Sequence, residues 1–598
     1  MKRSFFLIIP TAVLCILLPS CQPDSLVSVV NVELPGETVL TTDSSDAKDS
    51  SVVPVTGSAD VDPYNEEDYV DTYTPEGTVS IVFSEGGAQV SGDTSLVGIT
   101  TDGAGVTVNN PDGKSLKYVL SGSSSNGYFK LYSTRKQTIE LSGLTLTNPS
   151  GAAINNQSKK RTFIILSGDS SLADGTSYNT PSGEDEKAAF FSEGQLCFSG
   201  SGSLTVTAKG KAGITSDDYL HFLEGTVSVS SSGGHGIRGK DAVIVSDGTV
   251  SSSVSADMKK AVSTDGFYLQ DGGTVTLSAT GSAAYDSDDS DISAAGCIKA
   301  DGNFIMNGGS LTCTSTGKGA KCISVDGRGY FCGGSIDARA SGASFYYQND
   351  HSYPKALKFD GAVIVGGGVT YASSAAHEAF TTDSTWTQSG GVVIAEAKDD
   401  AVNSAGQLTV RGGYLRGTST GNDGIDANAA ILIEGGVVIG EGTTAPECGI
   451  DSVEGTYVTV NGGYVISRGG SIGPFNTTGG KAFVSSSIQG GATVGLADSD
   501  GRILSYQTPS SGGTSVLFSA PSLTQGGTYY LVTDPTSISL ANSNFPRFGL
   551  TFAGGSSGQI LTASSSVQET GGGMGGFGGG GFGGGGGFGG GGGPFGGR

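Results

Sequence analysis

Gly272-Gly273-Thr274-Val275-Thr276-Leu277-Ser278 decides the fold. Apolar and polar residues alternate behind a pair of glycines, so one face of a short strand points inward. The pair returns at Gly308-Gly309, Gly333-Gly334, Gly390-Gly391, Gly412-Gly413, Gly435-Gly436 and Gly462-Gly463. Glycine tolerates φ > 0 and close backbone approach, which suits a corner between two strands. Working outward, each unit opens on an apolar anchor: Ile154, Phe190, Ile214, Ile237, Val262, Ile298, Ile323, Leu357, Phe380, Val402, Ile425 and Ile450. The residue before each anchor is Ala, Gly or Cys. Most intervals are about 22 to 25 residues, and three are longer by about ten. Repeats of this length with β character predict a solenoid. One unit fits one turn of a single-stranded parallel β-helix. The expected molecule is an all-β rod of about twelve turns, stacked roughly 4.8 Å apart, with β-rich caps.

Composition bounds the rest. The formal net charge of −24 argues against nucleic acid and against electrostatic attraction to anionic membranes, and favours cations as partners. Lys2 and Arg3 precede an apolar run from Phe5 to Leu18, the pattern of a secretion signal over residues 1–20. Leu18-Pro19-Ser20-Cys21 resembles the lipobox of bacterial lipoproteins, which implies cleavage before Cys21 and lipidation of that cysteine. An ordinary signal peptide with a nearby cysteine is the alternative. Either way the expected location is the cell surface or the periplasm, with contact to the membrane through the N-terminal lipid only.

Residues 21–75, rich in Ser, Thr, Asp, Glu and Pro, read as an acidic tether. Residues 76–150 read as an N-terminal β region or cap, 151–470 as the repeats and 471–570 as a C-terminal β cap. The Gly-rich tail, 571–598, carries Phe577, Phe582, Phe588 and Phe595 and cannot bury enough apolar surface to order itself. Cys297 and Cys322 hold the same position in consecutive turns, so a disulfide and a pair of buried thiols both fit.

Because turns stack, chemistry is read in columns. Three residues after the anchors stand Glu193, Asp217, Asp265, Asp301, Asp326, Asp360 and Asp383, interrupted by Lys240. Several of these are Asp-Gly turn pairs. A second acidic set surrounds the later anchors: Asp400, Asn403, Asp423, Asp426 and Asp451. Carboxylates about 4.8 Å apart repel by roughly 3–4 kcal/mol at an effective dielectric of 20. Solvent, splayed side chains or a cation must relieve that. Calcium suits the second set, being a hard ion that takes several oxygens in flexible geometry.

The three long intervals carry their extra residues late in the unit, at 178–186, 285–291 and 345–353, so they project from one corner of the rod. Each combines tyrosine with acids or amides. Tyr285, Tyr346, Tyr347 and Tyr353 are the candidates for stacking against sugar rings, with ordinary polar loops as the alternative.

Several stretches resemble a family of secreted bacterial carbohydrate-binding domains. They are Tyr118-Val119-Leu120-Ser121-Gly122, Ile139-Glu140-Leu141-Ser142-Gly143-Leu144-Thr145-Leu146, Gly151-Ala152-Ala153-Ile154, Asp400-Ala401-Val402-Asn403 and Asp423-Gly424-Ile425-Asp426-Ala427. The resemblance implies a right-handed parallel β-helix related to pectate-lyase folds. It also implies calcium-associated binding of plant-type or acidic polysaccharides, without established catalysis. Calcium ligation carries over onto Asp400, Asn403, Asp423, Asp426 and Asp451 alone. Earlier turns have Lys260, Lys321 and Lys355 where Asp would stand.

Two rival functions remain. A polysaccharide lyase acting on uronate polymers would use a Lys base beside calcium, and Lys321 and Lys355 fall in one column. Asp217-Asp218 followed by Gly234-His235-Gly236 loosely resembles polygalacturonases, but His235-Gly236-Ile237 is also the repeat anchor itself. A structural adhesin is the third class.

Overall fold

The computed structural model describes residues 61–568, apart from 112, 479–482, 500, 536, 540–546, 550 and 554, together with the strands Val32–Leu34 and Glu37–Leu40. The signal segment, Cys21, the rest of 21–60 and the tail 571–598 lie outside the described residues.

Each turn is built of three short strands. For the anchor Ile214 these are Ala212–Ser216, Tyr219–Phe222 and Thr226–Ser231. Each pairs in parallel with its counterpart one turn on: Ile237–Gly239, Ala242–Val245 and Thr249–Val254. The result is three parallel columns, here the anchor, second and third sheets. The anchors stack in register from Ile154 on Phe190 to Ile425 on Ile450. None of the twelve is more than 1% exposed, and each such side chain contributes roughly 1.5–3 kcal/mol by leaving water.

The anchor sheet has 15 strands, so the parallel β-solenoid runs to about fifteen turns rather than about twelve. Additional turns precede Ile154: Phe129 pairs with Ile154, and Val106 with Phe129. Their corners carry single glycines, Gly122 and Gly143, both at positive φ, and Tyr128 replaces the small residue before the anchor. Antiparallel strands close both ends, where open sheet edges would otherwise invite association. Gly98–Asp102 ends the anchor sheet and Gly87–Gly92 pairs with Gly77–Ser84 at the start of the rod. Ser515–Ser519 adds antiparallel to Tyr464–Gly469 in the third sheet, and Val484–Ser487 pairs beyond it, beside a five-stranded C-terminal sheet.

The Gly-Gly corners lie between the second and third strands. At Gly309, φ is +72° and an added Cβ would stand 2.4 Å from the carbonyl oxygen of Gly272 one turn below. Neither strain can be relieved by a rotamer change. Gly309→Val is therefore expected to destabilise the coil by about 3 kcal/mol or more, read as a lower denaturation midpoint. An unchanged midpoint would show that the corner has slack.

Residues 61–76 lie against the outside of the second sheet. Tyr73 packs on Phe163 with ring centroids 5.2 Å apart, and Asp68, 0% exposed, sits among Arg161, Tyr219 and His221. The six described cysteines are free thiols, with Cys297 and Cys322 buried in the core, so the disulfide alternative is not taken.

Candidate functional site

The outward residues of the anchor sheet, and the loops that lead into it, form one face with two electrostatic halves. The column one residue after the anchor decides which half is which. In the earlier turns it supplies Arg238, Lys299 and Lys358. Arg238 reaches Asp265 at 2.8 Å, Lys299 reaches Asp301 at 2.8 Å and also pairs with Asp326, and Lys358 reaches Asp383 at 3.3 Å and also pairs with Asp360. Five members of the first acidic column, Asp265, Asp301, Asp326, Asp360 and Asp383, thus lie against the chain's own cations, and Lys187 pairs with Asp217. At the head of the column burial, with Asp217 and Asp185, raises Glu193, and carboxylate oxygens of these three lie within 4.8 Å of one another.

In the later turns the same column reads Asn403, Asp426 and Asp451, paired in register. Carboxylate oxygens of Asp423, Asp426 and Asp451 all lie within 4.8 Å of one another. Asn403 donates to Asp400 at 3.0 Å and to Asp426 at 3.2 Å, the Asp423 amide donates to Asp400 at 3.1 Å, and the Cys448 amide donates to Asp423 at 2.5 Å. All five residues proposed from the sequence therefore meet at one place. Burial, reinforced by neighbouring carboxylates, pushes Asp400 up to about 6, Asp426 to about 7 and Asp423 to about 8. Among the described residues no Lys or Arg forms an ion pair with Asp400, Asp423 or Asp426. The donors are hard oxygens, and they fit a divalent cation of the calcium kind.

The second and third insertions are β-hairpins, Ala284–Asp286 with Asp291–Ser293 and Phe345–Tyr347 with Asp350–Ser352. They rise two turns apart, roughly 10 Å, and lean together so that Tyr285 stacks on Tyr347 at 4.7 Å and 17°. Tyr346, 68% exposed, lies 6.3 Å from Tyr353, which in turn stacks on His377 at 3.7 Å. His351 completes this second group, 4.2 Å from Tyr353. The four candidate tyrosines thus fall into two aromatic groups, Tyr285 with Tyr347 and Tyr346 with Tyr353. The first insertion joins neither: its Glu184 pairs with Lys130 at 2.7 Å and Lys211 covers the Tyr178 ring at 4.5 Å.

Lys321 and Lys355 are register partners, as their shared column predicts. Lys355 pairs with Glu378 at 3.3 Å, whereas Lys321 donates to the Ser352 hydroxyl at 2.9 Å and forms no ion pair among the described residues. Burial and neighbouring lysines hold Lys321 down to about 7; burial holds Lys355 to about 8. His377 was not singled out by sequence. It touches Glu378 and lies 3.5 Å from Asp399, and burial holds it below the usual histidine range. A lone histidine outside the repeat pattern gave no signal of these contacts.

No curated protein matches this chain. A solved structure described as the polysaccharide lyase-like protein from C. thermocellum, gadolinium derivative, is similar at 18% identity and a TM-score of 0.30, over 44% of this chain and 94% of that chain. Residues 102–393, which hold the tyrosine hairpins and Lys321 but not the acidic cluster, match the model of a family described as carbohydrate-binding domain-containing proteins.

Proposed function

We propose that this protein binds polysaccharide along the anchor face of its coil, held at the cell surface or in the periplasm by a lipid on Cys21. The observation that carries the reading is the stack of Tyr285 on Tyr347, by which the two hairpins meet. Exposed, mutually stacked rings offer a flat apolar platform that matches the faces of sugar rings, and neighbouring polar groups serve their hydroxyls. The test is retention of the purified protein on polysaccharides by affinity electrophoresis. Retardation by at least one glycan supports the reading; uniform mobility across neutral and acidic glycans contradicts it. Cys21 is tested separately by mass: a lipidated N-terminal cysteine is expected on protein recovered from membranes.

Calcium belongs to the same reading, held by Asp423, Asp426 and Asp451 with Asp400 and Asn403 beside them. When bound it supplies positive charge beside Asp400, Asp423 and Asp426, which burial and neighbouring carboxylates hold above the usual range. The pH dependence follows from the raised carboxyls. A carboxylate whose folded pKa lies above its unfolded value favours the folded state most when protonated. That stability is present below the unfolded value near 4 and is lost as pH rises through about 6 to 8. In chelator, the melting temperature is therefore expected to be lower at pH 8.5 than at pH 5. Calcium at a hundredfold excess over Kd should restore about 2.7 kcal/mol at the higher pH. Asp423→Asn with Asp426→Asn should remove that response. A melting temperature indifferent to calcium at pH 8.5 would exclude the ion.

A polysaccharide lyase is the second reading, favoured by one observation: Lys321, held down to about 7, is poised as a base at neutral pH. Incubation with polygalacturonate and calcium separates the two, since only a lyase raises the absorbance of unsaturated uronides. No rise is expected.

A further inference from the structure

Under the tyrosine hairpins lies a cleft of about 410 Å³ whose lining includes Lys260, Lys299, Lys321 and Lys358, with Asp291 and Asp326. Four lysines against two aspartates is a reversal of sign on a chain of net charge −24. The four are not equivalent. Lys299 and Lys358 are committed to carboxylates of the acidic column, Asp326 among them. Lys260 and Lys321 are not. The Lys260 ammonium donates to the Met258 carbonyl at 2.8 Å and the Ser293 hydroxyl at 3.1 Å, and that of Lys321 to the Ser352 hydroxyl at 2.9 Å. Every one of these acceptors is neutral. Among the described residues, neither ammonium has a carboxylate within ion-pair distance.

The partners have a second meaning. Ser293 closes the hairpin that carries Tyr285, and Ser352 closes the hairpin that carries Tyr346 and Tyr347. Each hairpin thus carries tyrosine on its strands and an uncompensated ammonium at its root.

We propose that this cleft is an anion subsite, in which Lys260 and Lys321 directly bind the carboxylate or sulfate group of a charged sugar whose neighbouring ring lies on the hairpin tyrosines. The proposal rests on the polysaccharide reading and adds to it a site that needs no metal. It is also separate from the acidic cluster, which lies on later turns of the same face. Burial and the surrounding lysines hold Lys321 to about 7, and burial with Lys259 and Lys299 holds Lys260 to about 8. A bound anion would supply the counter-charge that both ammonium groups lack.

The test uses the whole protein in chelator, so that no divalent cation can bridge. Four probes are compared by affinity electrophoresis: polygalacturonate, its methyl ester, dextran sulfate and dextran. The charged polymer of at least one pair is expected to bind about tenfold or more tightly than its uncharged counterpart. Which pair responds distinguishes carboxylate from sulfate. Lys321→Gln and Lys260→Gln should each weaken that binding by about tenfold, and Lys321→Arg should retain it. Removing an unpaired ammonium should not lower the melting temperature, so a loss of binding is not a loss of fold. Equal binding of charged and uncharged polymers, or charged binding indifferent to both Gln variants, overturns the anion subsite while leaving the polysaccharide reading in place. Binding of none of the four in chelator overturns the anion subsite, and the polysaccharide reading falls with it only if calcium restores no retardation by any glycan.

Discussion

Replacing Tyr285 and Tyr347 together by alanine is expected to weaken polysaccharide binding by about a hundredfold while leaving the melting temperature nearly unchanged. The two rings stack on each other at 4.7 Å yet remain 40% and 38% exposed, so the coil does not depend on them for its core. Truncating a central aromatic anchor at an interface typically costs about 2 kcal/mol or more, and each 1.4 kcal/mol is tenfold in affinity. The single replacements should each cost less than half of the pair in free energy, because either ring remaining still presents a platform. Affinity electrophoresis measures the effect, and thermal melting controls for the fold. Full binding by the double variant would move the site away from the hairpins.

Asp68→Ala carries the largest expected effect on stability. Asp68 Oδ1 lies 2.8 Å from Arg161 Nε and accepts from the Tyr219 hydroxyl at 2.6 Å, while Oδ2 lies 2.7 Å from His221 Nδ1. Burial would raise its pKa, but the hydrogen bonds from His221 and Tyr219 and the charges of His221 and Arg161 outweigh burial and lower it. Alanine leaves Arg161, only 7% exposed, with Glu67 as its remaining carboxylate at 2.9 Å. Breaking a buried pair by removing one partner costs about 3–5 kcal/mol, and denaturant unfolding should show a loss of that order. The depressed carboxyl also fixes the sign in acid. Its contribution is present above the unfolded value near 4 and is lost as pH falls through the folded value. The wild-type protein should therefore lose part of its stability below about pH 4, and Asp68→Ala should lose less over the same interval.

The fold was legible because a solenoid writes its contacts into the sequence at a fixed spacing. Ile214, Ile237 and Val262 touch in space because they recur in the chain. Turns were missed where that signature lapses. Around Val106 and Phe129 the glycine pair is replaced by one glycine, and the strand Gln137–Asn148 runs on through the corner, pairing with both of its neighbours in the next turn.

The sites divide along the same line. Asp400, Asn403, Asp423, Asp426 and Asp451 could be grouped in advance because columns impose their proximity, and Lys260 was visible in the column of Lys321 and Lys355. The cations that pair with the earlier acids, Arg238, Lys299 and Lys358, were equally available, each at the position after an anchor, once that column is set beside the acidic one. Contacts made by insertions were not legible. Nothing in the repeat says that two hairpins two turns apart lean until Tyr285 meets Tyr347, or that His377 slides beneath Tyr353. Asp68 lies further still from sequence reach. An acidic run, Asn65-Glu66-Glu67-Asp68, reads as solvated, yet the partners that bury its last residue come from two turns of the coil.

The most direct test of where this protein works is hydrogen exchange with and without a polysaccharide that retards it in affinity electrophoresis. The account predicts protection concentrated in the hairpins at 284–293 and 345–352 and in the adjoining anchor strands Gly296–Ala300 and Lys321–Val325. Protection confined to the second or third sheet, with those segments unchanged, would contradict it.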